Sequence, residues 1–148
     1  MGKRFWLILQ FIVFLGTACG PAVRSASSIP TDVVIVYQQE GGFAGITKEW
    51  IILPDGTITA PGEEILTAEP NEIEELMNMS TSDDIFALKD TYVPKDHCCD
   101  QFIYTVTITD GAEEKTIRTS DGIQQPEELT ELLTVIQQVI ADAEASSR

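Results

Sequence analysis

Three glycines frame one phenylalanine at Gly41-Gly42-Phe43-Ala44-Gly45, directly behind the apolar run Val33 to Tyr37. Glycine enters backbone conformations that other residues resist, so this segment is expected to reverse the chain tightly and to carry a large ring on a short loop. Two placements are open to that ring. Phe43 either folds back into the core, where phenylalanine is commonly found, or is presented outward as a contact residue. A loop of this composition suits binding better than catalysis.

The runs around the loop set the fold class. Residues 32–38 are rich in Val and Ile with Tyr37, which favours a strand, and apolar residues at successive positions place it centrally in a sheet. Ile46 to Leu53 and Thr57 to Thr59 are separated by Pro54-Asp55-Gly56, and an Asp-Gly pair between such runs signals a hairpin. Pro70 fits the first turn of a helix, with Ile73, Leu76 and Met77 at helical spacing behind it. Ile85, Phe86 and Leu88 make a small apolar cluster before a polar loop from Asp90 to Asp100. Phe102, Tyr104, Val106 and Ile108 alternate with Ile103, Thr105, Thr107 and Thr109, the period of a strand with one buried face. Beyond the turn at Asp110-Gly111, Lys115 to Thr119 reads as its edge-strand partner. Pro126 opens a last helix, in which Leu129, Leu132, Leu133, Ile136, Val139, Ile140 and Ala143 form one stripe. Hairpins and helices that segregate predict an α+β fold: an antiparallel sheet of four to five strands with two helices packed on one face.

Residues 1–18 read as an export signal. Lys3 and Arg4 precede an apolar run from Phe5 to Leu15, shorter than the roughly 20 residues that a spanning helix needs, and small residues follow. Leu15-Gly16-Thr17-Ala18-Cys19 resembles the lipobox of bacterial lipoproteins, with Gly16 where a larger aliphatic residue is usual. That resemblance implies cleavage before Cys19 and attachment of lipid to it, which anchors the chain to a membrane outside the cytoplasm. N-terminal myristoylation requires Ser or Thr at position 6, where this chain has Trp6. Residues 19–29 are small and polar and read as a tether, and 30–144 holds enough chain for one domain with one core.

Charge narrows the partners. The chain has 24 acidic and nine basic side chains, for a net charge of −15, and two of the basic ones, Lys3 and Arg4, lie in the signal. Such a surface opposes nucleic acid and favours basic or metal-bearing partners.

One cluster has ligand chemistry: Asp96-His97-Cys98-Cys99-Asp100. Adjacent side chains in an extended segment point apart, and the chain has one His and three Cys in all, so no closed metal site and no cofactor is expected. With Cys19 lipidated, Cys98 and Cys99 remain in an oxidising compartment. They can form a strained vicinal disulfide, pair with another chain or stay as thiols; neighbouring Cα atoms at about 3.8 Å lie below the usual 4.4–6.8 Å of a disulfide. No GxSxG, HExxH or phosphate-binding loop occurs, and the single His lacks a recognisable nucleophile and orienting carboxylate. The expectation is a protein that is not an enzyme.

A strand ending in Gly41-Gly42-Phe43-Ala44-Gly45, a hairpin, a helix, then Asp100-Gln101-Phe102-Ile103-Tyr104-Thr105-Val106, an edge strand ending near Ser120-Asp121-Gly122 and a final Leu-rich helix resemble, in this order, the emfourin family. The resemblance runs from about Val33 to Ala141. Members of that family inhibit protealysin-like, thermolysin-fold zinc metallopeptidases. The resemblance therefore implies a lipid-anchored inhibitor that occludes a peptidase cleft, with Glu40, Gly41, Gly42, Phe43, Ala44 and Gly45 as the contact segment. The competing expectation is an envelope lipoprotein whose domain binds a partner that is not a protease.

The lipid assignment is tested by labelling with a fatty-acid probe in a bacterial host. Wild type is expected to incorporate the probe and Cys19→Ala to incorporate none; equal labelling of both contradicts the assignment.

Overall fold

Side chains along β1 (Val33–Gly41) alternate between two environments: Val33, Ile35 and Tyr37 are buried, whereas Val34, Val36 and Gln38 are half-buried. This period of two is repeated by its neighbours and assigns one face of the sheet to the core. The computed structural model describes residues 31–62, 65–95 and 100–148. Within them follow β2 (Ile46–Ile52), β3 (Thr57–Thr59), β4 (Leu66–Thr67), α1 (Pro70–Ser80), α2 (Asp83–Phe86), β5 (Phe102–Asp110), β6 (Glu113–Ser120) and α3 (Glu127–Ser146). The strands form one sheet in the order β4-β3-β2-β1-β5-β6, antiparallel throughout.

The α+β class and the antiparallel sheet are as expected, but the element counts are not. Among the described residues there are six strands and three helices rather than four to five and two. The additions are too short to carry a period. β4 is two residues long, held by pairing of Leu66 with Ile58 and by the Ala68 N–H donating to the Gly56 carbonyl at 2.9 Å. α2 is a single turn whose Ile85 and Phe86 N–H groups both reach the Ser82 carbonyl. α3 also extends to Ser146, past the expected boundary at 144. Residues 1–18, the tether 19–29 with Cys19, and Asp96, His97, Cys98 and Cys99 lie outside the described residues.

Ile35, Ile52, Ile58, Val106, Ile108 and Ile117 line the buried face of the sheet. They join Ile73, Leu76 and Met77 of α1, Ile85 of α2 and the α3 stripe in one cluster. That stripe, Leu129, Leu132, Leu133, Ile136, Val139, Ile140 and Ala143, is buried at every position. Its spacing places all seven side chains on one helix face. Pro70 occupies the first turn of α1. Glu127 and Glu128 occupy the first turn of α3, where carboxylates complement the helix dipole. The other sheet face carries Val34, Val36, Ile51, Leu53 and a field of threonines, half-buried or exposed. Two of these, Thr107 and Thr116, meet across β5 and β6 with their hydroxyls 3.0 Å apart.

The outer edge of β6 is covered around Arg118. The Tyr92 N–H donates to the Arg118 carbonyl (2.8 Å) and the Arg118 N–H to the Asp90 carbonyl (2.9 Å). Lys115 reaches the Leu88 carbonyl and pairs with Asp90 at 2.7 Å. These contacts block further strand addition there.

Emptying the core beneath α3 should cost far more than altering the open face. Ile136→Ala is expected to lower stability by about 2–5 kcal/mol, and Thr107→Ala by no more than about 1 kcal/mol, measured by urea denaturation. Equal losses would contradict a one-sided core.

Candidate functional site

The site is the tip joining β1 to β2, and glycine is required there by what lies next to it. Gly41 has φ +108° and pairs with both Ile46 and Phe102. A Cβ on Gly41 would run into the Gln101 carbonyl oxygen. Gly42 has φ +70°, and a Cβ there would stand 2.6 Å from Cζ of the Phe102 ring. The Phe102 ring therefore fills the space that a side chain at position 42 would take. The Gly42 N–H donates to the Gln101 carbonyl (3.3 Å), and the Gly45 N–H closes the turn on the Gly42 carbonyl (3.0 Å).

Gln101 and Phe102 are held in turn from the far side. The Phe102 N–H donates to the Asp121 carboxylate (3.1 Å), Gln101 Nε2 donates to the Asp121 carbonyl (3.2 Å), and the Asp121 N–H donates to the Phe102 carbonyl (3.1 Å). The tip is thus anchored by the neighbouring strand and by the segment leaving β6.

Behind it runs a row of aromatic rings. Trp50 and Tyr37 stack with centroids 5.5 Å apart, Tyr37 and Tyr104 at 6.2 Å, and Tyr104 and Phe102 at 6.5 Å. Lys48 Nζ lies 5.5 Å from the centre of the Trp50 ring, a cation–π contact. Gln137 of α3 donates to the Tyr37 hydroxyl at 2.9 Å, fastening the row to the helix. A cavity of about 350 Å³ opens beside it, walled by Tyr37, Gln39, Lys48, Trp50, Tyr104 and Gln137 among others. Burial pushes the Tyr104 phenol well above its ordinary value, and the Asp121 carboxylate adds to this by hydrogen bond and charge. Burial likewise raises the Tyr37 phenol, against a lowering from the Gln137 hydrogen bond. Both phenols are neutral at physiological pH, so the row is a neutral support for the tip.

Phe43 projects from this frame with 97 % of its surface exposed, and the placement in which it folds into the core is not the one adopted. Ala44 and Gly45 are exposed with it, and Ile46, the first residue of β2, is 40 % exposed. Glu40 is exposed but occupies the last full turn of the β1 alternation on the open sheet face, opposite Thr47 and Ile103. It therefore flanks the tip. Among the described residues no group of three or more His, Cys, Asp or Glu is arranged to hold a metal ion.

Nothing in the sequence marks Phe102 as the partner of Gly42. Its place in an alternating run describes a strand facing a core, whereas its ring covers the tip glycine. Asp121, which the sequence marks only as the end of an edge strand, proves to bond back to Phe102 of β5.

Compared with models of protein families the chain matches none, and no curated protein matches it.

Two substitutions separate frame from presented side chain. Gly42→Ala is expected to cost about 1–3 kcal/mol of stability through backbone strain and the Phe102 clash. Phe43→Ala should leave stability within about 0.5 kcal/mol of wild type, as for an exposed surface change. The reverse order in denaturant melts would contradict the geometry described.

Proposed function

We propose that this protein is a lipid-anchored, extracytoplasmic inhibitor of a thermolysin- or protealysin-like zinc metallopeptidase, and that it works by occluding the active-site cleft with the β1–β2 tip. The observation that carries this reading is the near-complete exposure of Phe43 on a loop whose base is bonded to the neighbouring strand and whose turn is closed on itself. Exposed phenylalanine is costly to leave in water, and burying it in a partner is worth about 1.5–3 kcal/mol. A tip already held in its bound shape loses little conformational freedom on docking.

The inhibitory mode is steric. Phe43 enters an apolar pocket of the peptidase, and the glycine turn that follows keeps the backbone away from the extended form in which a chain is cut. Glu40, on the flank of the tip, meets basic groups around the cleft. The acidic surface favours approach to such groups. Asp96 and His97, outside the described residues, are equal candidates for that contact, and no catalytic residue and no cofactor is assigned to the chain. Attachment to a membrane rests on lipid at Cys19; none of the described helices is long and apolar enough to cross one.

Titration of the chain without its first 19 residues against secreted metallopeptidases tests the reading. The complex should form without cleavage of the inhibitor. Phe43→Ala is expected to weaken inhibition roughly thirty- to thousandfold, as truncation of a central aromatic anchor costs about 2–4 kcal/mol. Glu127→Ala, far along the chain at the exposed start of α3, should change it little. Full inhibition by a folded Phe43→Ala variant rejects the tip as the binding element.

A further inference from the structure

The hydrogen-bonding directions along β2 follow from its junction with β3. The Leu53 N–H donates to the Thr57 carbonyl (2.9 Å), and Ile51 pairs with Thr59. Leu53 and Ile51 therefore turn their backbone groups toward β3. Directions alternate in an antiparallel ladder, so Glu49 and Thr47 face the same way, while Ile52, Trp50, Lys48 and Ile46 serve β1. β3 ends at Thr59, and Ala60, Pro61 and Gly62 leave the ladder. Among the described residues, then, no strand pairs with the outward groups of Thr47 and Glu49.

The gap has a shape. A cavity of about 350 Å³ lies there, lined by Thr47, Lys48, Glu49, Trp50, Ala60 and Pro61. Trp50, which lines it, is only 5 % exposed, and among the described residues its buried Nε1–H has no hydrogen-bond partner. The sheet's opposite edge, covered by Asp90, Tyr92 and Lys115, shows no such gap at Arg118.

We propose that the partner of the Phe43 tip lays an extended segment along β2, pairing with Thr47 and Glu49 as an added strand. This rests on the metallopeptidase reading above, and the occupant is an extended surface segment of that enzyme. The edge is continuous with the tip, since Thr47 is four residues from Phe43 on the same hairpin. Lys48 and Glu49 point to opposite faces, so the added strand fits best with an acidic residue opposite Lys48 and a basic one opposite Glu49. A second copy of this chain is disfavoured in two of the two-fold registers. Two-fold pairing of Thr47 with Glu49 sets Lys48 directly against its own copy, and centring on Glu49 sets two carboxylates together; like charges directly opposite destabilise a strand pair.

Thr47→Pro removes the outward N–H and leaves the β1 ladder intact, because proline is tolerated on an edge whose donor faces solvent. In the full-length chain solubilised in detergent, this variant is expected to inhibit a thermolysin-like metallopeptidase about tenfold or more weakly than wild type, with an unchanged melt. In the wild-type complex the Thr47 and Glu49 amides should exchange with deuterium more slowly than in the free chain. Full inhibition by folded Thr47→Pro, or equal exchange in free and bound chain, overturns strand addition while leaving the Phe43 reading in place. Slow exchange already in the free chain means that a segment of this chain pairs with the edge and also overturns it, as does a dimer formed without peptidase and lost in Thr47→Pro. A wild-type chain that inhibits no such peptidase overturns both proposals. Should Thr47→Pro fail to fold, the exchange comparison on wild type decides alone.

Discussion

The close approach of Gly41 and Gly42 to Gln101 and Phe102 is the contact on which the presented tip depends. β1 is paired with β5 along its whole length and with β2 from Ile35 to Gly41. Where it ends, a carbonyl and an aromatic ring from β5 occupy the volume that any side chain would need. Asp121 locks that part of β5 from the other side. The base of the Phe43 loop is therefore held by residues remote in sequence, and its turn is closed by the Gly45 N–H on the Gly42 carbonyl.

The one-sided core supports this arrangement. α3 closes over the sheet through seven buried residues, and its Gln137 reaches Tyr37, 100 residues earlier, at the centre of the aromatic row. Stacked rings carry this packing from Trp50 in β2 to Phe102, whose ring lies over the tip. Trp50 belongs to both descriptions. Its ring continues the stack, and it also lines the cavity beside the stretch of β2 that β3 leaves uncovered. The tip and the open edge are thus two sides of one hairpin.

Long periodic elements were legible in the sequence. The alternation from Phe102 to Thr109 is observed as a strand from Phe102 to Asp110, and the α3 stripe is buried residue for residue. Asp55-Gly56 does turn β2 into β3: the Thr57 N–H donates to the Asp55 carboxylate, which holds that carboxyl below its usual range. β4 and α2 were not legible because two residues and one helical turn are shorter than the repeats that reveal a strand or a helix. At the candidate site, the glycines announced a turn, yet local pattern left Phe43 with two placements. The space beside Gly42 is taken by Phe102, far along the chain, which is why position 42 carries no side chain. A relation of that kind has no signature in spacing or composition.

Replacing Phe43 with p-benzoylphenylalanine and irradiating the complex with a thermolysin-like metallopeptidase tests the central claim most directly, because the probe reports where the ring rests. Cross-links to residues lining the zinc cleft are expected, lost when a small active-site inhibitor is bound first. Cross-links mapping outside the cleft in a complex that still forms would contradict it.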